Sequence, residues 1–152
     1  MAKETGLQIS PGQPADHALI TDMMQTFYKA LEMNYTPGVS VAVAQMLGDP
    51  QLGHIWLLKQ ADQIVGYATL SRWFSPELEG WTAYLDELYI AADFRGRGFG
   101  SRAIALLLDH CRTEGLGTLR LELEDWNTDA ERLYLRLGFV TEKRKLMTRW
   151  LR

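Results

Sequence analysis

Two adjacent carboxylates, Asp86 and Glu87, stand in the strand-like run Tyr84-Leu85-Asp86-Glu87-Leu88-Tyr89-Ile90. Shortly after it comes Arg95-Gly96-Arg97-Gly98-Phe99-Gly100, then Ser101 and the apolar run Ala103 to Leu108. A carboxylate on a strand can take a proton from a nucleophile. The glycines remove side chains where the chain must bend, so successive backbone N–H groups can converge on an anion at the positive start of a helix. The pattern therefore predicts a strand, a phosphate-cradling turn and a helix. A dinucleotide loop of the G-x-G-x-x-G kind fits less well, because counting from Gly96 puts Ser101 at the third glycine position. Because Asp86 and Glu87 are neighbours on one strand, alternation sends their side chains to opposite faces, and at most one faces a given pocket.

The rest of the chain supplies the elements that must hold this run in place. Leu7-Gln8-Ile9 alternates like a short strand, and Ser10 to Pro14 breaks it before Asp16 opens a helix carrying Leu19, Ile20, Met23, Met24, Phe27 and Leu31 at helical spacing. Val39 to Leu47 reads as a second short helix, although Val39, Val41 and Val43 also alternate as a strand does. Ile55 to Lys59 and Ile64 to Leu70, joined by the polar turn Gln60 to Gln63, read as an antiparallel hairpin. A loop rich in aromatics and acids, Trp73 to Trp81, leads to a third long strand, Thr82 to Ile90. After the glycines, Ile104, Leu107, Leu108 and Cys111 mark one face of a helix that stops near Gly115. Leu119, Leu121 and Leu123 then alternate with charged residues, so strand, helix and strand suggest a parallel crossover. Asn127 and Thr128 offer caps for a fourth helix with the stripe Ala130, Leu133, Tyr134 and Leu137, ended by Gly138. Phe139-Val140-Thr141 and Leu146 to Leu151 read as two final strands.

With 152 residues, 47% of them apolar, the chain fits one domain spanning 1–152. A formal charge of −3 argues against nucleic acid or an anionic membrane as partner and favours a cationic one. One cysteine, Cys111, and three scattered histidines, His17, His54 and His110, give no metal-ligand spacing, so no metal is expected. No apolar run follows Lys3, and the longest apolar stretch is too short to span a bilayer, so the expected setting is the cytoplasm. His110 and Cys111 are neighbours on a helix and do not face one another, so both read as structural.

The glycine turn is similar to the signature of the GCN5-related N-acetyltransferase (GNAT) superfamily: Arg or Gln, two residues, Gly, one residue, then Gly or Ala. It stands here as Arg95-Gly96-Arg97-Gly98-Phe99-Gly100. A second element of that family, an Asn ahead of a helix with Ala, Leu-Tyr and then Gly-Phe, is matched by Asn127, Ala130, Leu133-Tyr134 and Gly138-Phe139. Within the superfamily, Tyr84 to Ile90, Gly98 to Ser101 and Glu124 to Asn127 resemble the diamine (spermidine/spermine) acetyltransferases. The resemblance implies an α/β (α+β) fold with a mixed, mainly antiparallel sheet of about six or seven strands, about four flanking helices and a central splay that admits acetyl-CoA.

It also implies the chemistry. Acetyl-CoA is the co-substrate, with Leu88, Tyr89, Ile90, Arg95, Gly96, Arg97, Gly98, Phe99, Gly100, Ser101 and Asn127 as its binding residues and no metal. The acceptor is a primary amine attacking directly, and a small polyamine or diamine is favoured. Aminoglycosides, amino acids, protein amines, or acyl-CoA binding without turnover remain as alternatives. An alkylamine with a pKa of about 10.4 is protonated at neutral pH, so a base must take its proton. The diamine group's pattern favours Asp86 for this role and the broader superfamily Glu87; both are candidates, directly or through water. The leaving thiolate, with a thiol pKa of about 8.5, gains from a proton donor, and Tyr134 matches the family's tyrosine acid. A homodimer is a common assembly in the family. Trp73, Phe74, Glu77, Glu79 and Trp81 read either as a wall around a cationic acceptor or as an exposed loop.

Overall fold

The computed structural model describes residues 6–151; Met1 to Thr5, read above for the missing apolar run, lie outside the described residues. The chain forms two compact units, Met1–Glu122 and Leu123–Arg152. The first holds β1 (Gln8–Pro11), α1 (His17–Ala30), α2 (Pro37–Gly48), β2 (Gly53–Gln60), β3 (Gln63–Ser75), β4 (Gly80–Ile90), α3 (Phe99–Thr113) and β5 (Thr118–Leu121). The second holds α4 (Thr128–Arg136). Among the described residues no helix is long and apolar enough to cross a membrane.

The strands form one mixed sheet in sequence order, β1 to β5. The first four are antiparallel, and β5 joins β4 in parallel after the α3 crossover. The fold class is the expected one, with five strands among the described residues rather than six or seven. The missing two are residues 139–141 and 146–151, which carry no regular structure. Their apolar and β-prone residues suit a strand, but a strand needs a neighbour for its backbone groups, and these residues join no ladder of the sheet. Val140, Leu146, Met147, Trp150 and Leu151 are all exposed.

The loop expected at Trp73 to Trp81 is instead the end of a hairpin: β3 continues to Ser75 and β4 starts at Gly80. Aromatic residues favour the pleated surface, and Phe74 and Trp81 face each other across the two strands with ring centroids 5.5 Å apart. The Arg72 guanidinium lies over Trp81 at 4.6 Å. The ambiguous valine segment is the helix α2, begun by Pro37, whose fixed φ suits a first turn. Val43 is buried and Val39, Met46 and Leu47 pack beside it, while Val41 points to solvent, which is a helical spacing.

Helices cover both faces of the sheet. On one face α1 and α2 bury Ile20, Met24 and Val43 against Ile55, Leu57, Tyr67 and Tyr89. On the other, Phe99 and Ala103 of α3 pack with Leu7, Leu58 and Val65. Leu57 and Leu58 are sequence neighbours serving opposite faces, as the period of two requires. Ile20, Leu58, Ile104 and Leu107 are fully buried, each contributing about 1.5–3 kcal/mol by leaving water.

Under α3, His54 and Trp56 of β2 meet His110, with ring centroids 5.2 Å (His54–Trp56), 4.6 Å (Trp56–His110) and 5.9 Å (His54–His110) apart. Arg72 and Glu114 line the same small cavity as the two histidines. Burial, and then neighbouring positive charge, lower both imidazole pKa values, with Glu114 opposing. The folded state thus prefers them neutral. Their contribution to stability is complete above the ordinary histidine value of about 6.5 and is lost as pH falls from there through the lower folded values. Thermal melts across that window should show a falling Tm, and a His54→Gln/His110→Gln variant should show a shallower fall. Parallel curves would mean that the histidines do not couple folding to pH.

Candidate active site

The register of β4 decides what happens to the two carboxylates. Thr69 pairs with Glu87 but Leu70 pairs with Leu85, so Asp86 is an extra residue, a β-bulge. The bulge interrupts the alternation between Leu85 and Glu87, while Asp86 and Glu87 still differ in surroundings. Glu87 shares the α1/α2 face with Tyr67 and Tyr89, while Asp86 is set out toward solvent.

Glu87 is half-buried and held from two sides. The phenol of Tyr28, in the last turns of α1, donates to Glu87 Oε1, and the phenol of Tyr67 on β3 donates to Oε2 at 2.9 Å. Burial raises the Glu87 pKa, with the Asp86 charge in the same direction; the two phenols pull the other way by stabilising the carboxylate. Both tyrosines are pushed up, first by burial, and stay protonated as donors. Asp86 is also raised, by desolvation and then by Glu122. Glu122 in turn receives the Tyr84 phenol. The pair Asp86 and Glu87 is thus sorted by environment: one carboxylate is clamped among tyrosines, the other faces outward beside Glu122.

The edge of β4 is open next to this point. Pairing with β5 ends at Leu85 and Leu121, so Asp86 to Ile90 run on without a β5 partner; this opening lies between β4 and the end strand β5, not at the centre of the sheet as expected. Ala91 N–H donates to Val65 O at 2.8 Å. In the alternating ladder of an antiparallel pair, Tyr89 and Glu87 therefore direct their backbone groups at β3, while the N–H groups of Leu88 and Ile90 turn to the open side. The Tyr89 side chain is buried between Phe27 and Tyr67, with centroids 5.4 and 5.6 Å away.

Beyond Ile90, a short 3-10 turn at Ala92–Phe94 leads into the glycines. Gly96 and Gly98 have φ of 72° and 76°, the left-handed region that favours glycine. Gly98 is the N-cap of α3 and brings no capping side chain; its carbonyl accepts from Arg102 N–H at 3.2 Å. The first N–H groups of α3, at Phe99, Gly100 and Ser101, are left to an outside acceptor. A Cβ at Gly96 or Gly98 would meet no protein atom within 4 Å. Uncapped N–H groups, a helix dipole and empty space above glycine fit a phosphate. The arginines do less there than their charge suggests. Arg95 Nε donates to Ile90 O at 2.9 Å, fixing the turn to β4, and the Arg97 guanidinium lies 5.5 Å over Phe94.

In the second unit, Asn127 Oδ1 accepts from Ala130 N–H at 3.3 Å, making Asn127 rather than Thr128 the cap of α4. Tyr134 is buried, packs edge-on against Phe139 at 5.4 Å, and has its pKa raised by burial. Cys111 is buried on α3 with its thiol pushed up, an unreactive state.

Sequence reading missed Tyr28 and Tyr67. A signal was present: Tyr28 follows Met24 by one helical turn on the buried stripe, Tyr67 lies inside a buried strand, and a buried phenol needs a partner.

Residues 19–139 match the model of the acetyltransferase (GNAT) family. The chain belongs to that family. This GNAT protein is 30% identical over 131 residues to the thialysine N-epsilon-acetyltransferase of Bos taurus, covering 82% of this chain and 71% of that one. It is 27% identical over 123 residues to the aminoalkylphosphonate N-acetyltransferase of Salmonella typhimurium, covering 81% and 75%. An integron cassette protein from the mobile metagenome of Cole Harbour Salt Marsh has the same fold at a TM-score of 0.82 and 27% identity, covering 95% of this chain and 91% of that one. The GNAT chain is an acetyl-CoA-dependent N-acetyltransferase.

Proposed function

We propose that this GNAT enzyme acetylates a primary amine on a small, cationic, diamine-like acceptor, with Glu87 as the base. The observation that carries this reading is the half-buried Glu87 carboxylate, held by the phenols of Tyr28 and Tyr67, with burial raising its pKa above the ordinary carboxylate value. Asp86 and Glu122 add negative charge beside it, which favours a cationic acceptor. The names of the relatives, a thialysine and an aminoalkylphosphonate acetyltransferase, support a small amine.

Acetyl-CoA supplies an activated acyl group as its thioester. The glycine turn, Arg95 to Ser101, is proposed to hold the pyrophosphate on the N–H groups at the start of α3. The N–H groups of Leu88 and Ile90, facing the open edge of β4, are suited to bond the acyl carbonyl. Glu87 accepts the proton of the bound ammonium, and Tyr134, kept protonated by burial, donates one to the thiolate. Asn127 orders the start of α4. A reducing cytoplasm, from the single cysteine, and a homodimer, by resemblance, complete the proposal.

The test is thiol release from acetyl-CoA against spermidine, putrescine, thialysine, lysine, an aminoglycoside and a basic peptide. Turnover with a small amine is expected. Tyr134→Phe should lower kcat by about ten- to a hundredfold with acetyl-CoA affinity unchanged. Tight acetyl-CoA binding with no turnover on any amine would instead favour an acyl-CoA-binding module.

A further inference from the structure

Among the described residues, two buried hydroxyls have no hydrogen-bond partner, those of Tyr35 and Thr69. Thr69 stands opposite Glu87 in the β3–β4 register. Tyr35 lies between α1 and α2, and its ring packs edge-on against Tyr28, the residue bonded to Glu87, with centroids 5.8 Å apart. Leaving a buried hydroxyl unpaired costs about 1–3 kcal/mol, so such a group in a folded protein calls for a partner, a water or a group of a bound molecule.

The other phenols at this point are committed. Tyr28 and Tyr67 each give their one hydrogen to Glu87, and that is what holds the carboxylate in place. Tyr35 has both its hydrogen and its lone pairs free, and a phenol oxygen readily accepts from N–H. Packing against Tyr28 requires only the ring; phenylalanine would serve it equally, so the hydroxyl is left over from packing. Its neighbourhood suits a cation, with aromatic rings and the Asp86 and Glu87 carboxylates, both of which act electrostatically on Tyr28.

We propose that Tyr35 determines acceptor specificity: with the reacting amine at Glu87, the Tyr35 hydroxyl accepts a hydrogen bond from a second N–H donor on the same molecule, so that the preferred acceptor carries donors at both ends. This rests on the amine-acetylation reading above and adds the residue that selects within it. Thr69 lies on the carboxylate side, where a water or the reacting amine completes its bonding.

The experiment compares kcat/KM for putrescine and for n-butylamine, which differ in the second amine, in the native enzyme and in Tyr35→Phe. The native enzyme should prefer putrescine. Tyr35→Phe should lower kcat/KM for putrescine about tenfold, through KM, as expected for one hydrogen bond from a charged donor, and leave n-butylamine unchanged. An equal loss on both amines, or none on either, would overturn the proposal while leaving amine acetylation standing. Turnover of neither amine by the native enzyme, with acetyl-CoA still bound, would overturn both. A thermal melt of Tyr35→Phe without ligand should be no lower than the native one, since the ring contact with Tyr28 is kept and a buried, unpaired hydroxyl is removed.

Discussion

Gly98→Val should weaken acetyl-CoA binding by about a hundredfold, the equivalent of losing two charge-assisted hydrogen bonds of about 1.5 kcal/mol each. Gly98 has a φ of 76° and sits at the N-cap of α3, where the first N–H groups have no capping side chain. Valine acts there in two ways. Its branched Cβ disfavours the left-handed conformation by about 1–2 kcal/mol, which pulls the turn away from the shape that aims its N–H groups. Its side chain also fills space that is free of protein atoms within 4 Å and that the phosphates need. Because no protein atom is displaced, the fold should survive, with a modest loss of Tm. Calorimetric titration with acetyl-CoA checks the affinity and circular dichroism checks the fold; native affinity in a folded Gly98→Val protein would remove the cradle from this turn.

Glu87→Gln should lower kcat by about a hundredfold or more, within the range for loss of a general base, with little change in acetyl-CoA affinity. Glutamine has the same shape and can still accept from one tyrosine and donate to the oxygen of the other, so the Tyr28–Tyr67 clamp should hold and the protein should melt near the native temperature. What it cannot do is take a proton. Asp86→Asn, changing the exposed carboxylate of the bulge, should have the smaller effect on kcat. A steady-state comparison of the two variants on one acceptor separates their roles. A larger loss in Asp86→Asn would move the base to Asp86.

Much of this arrangement was legible in the chain. The glycines at 96 and 98, the strand before them and the apolar helix after them are local features, and local features are what periodicity and backbone sterics report. A splay followed from resemblance, though not its place between β4 and β5, and its physical basis is the mismatch between a β4 of 11 residues and a β5 of four. What stayed hidden depends on pairing across the sheet. The bulge at Asp86 arises from the β3–β4 register, which no pattern within β4 reveals; Glu87 shares its face with Tyr89 by simple alternation, but its pairing beside Tyr67 on β3 is set by that register. The Tyr28 contact spans 59 residues of sequence. The segment Trp73 to Trp81, rich in aromatics and acids, reads as a loop from composition alone, while the cross-strand pair Phe74 and Trp81 makes it the end of a hairpin. The two expected carboxy-terminal strands failed for a related reason: β-prone side chains mark the capacity to pair and say nothing of a partner.

The most direct test of the central claim is kcat for a small amine measured across pH in the native enzyme and in Glu87→Gln. A base must be ionised to act, so the native rate should fall on the acid side through the Glu87 pKa, which burial sets above the usual 4.5. Glu87→Gln should be slow at every pH and should lack that limb. The same acid limb in both proteins, at comparable rates, would contradict the assignment of Glu87 as the group that takes the proton.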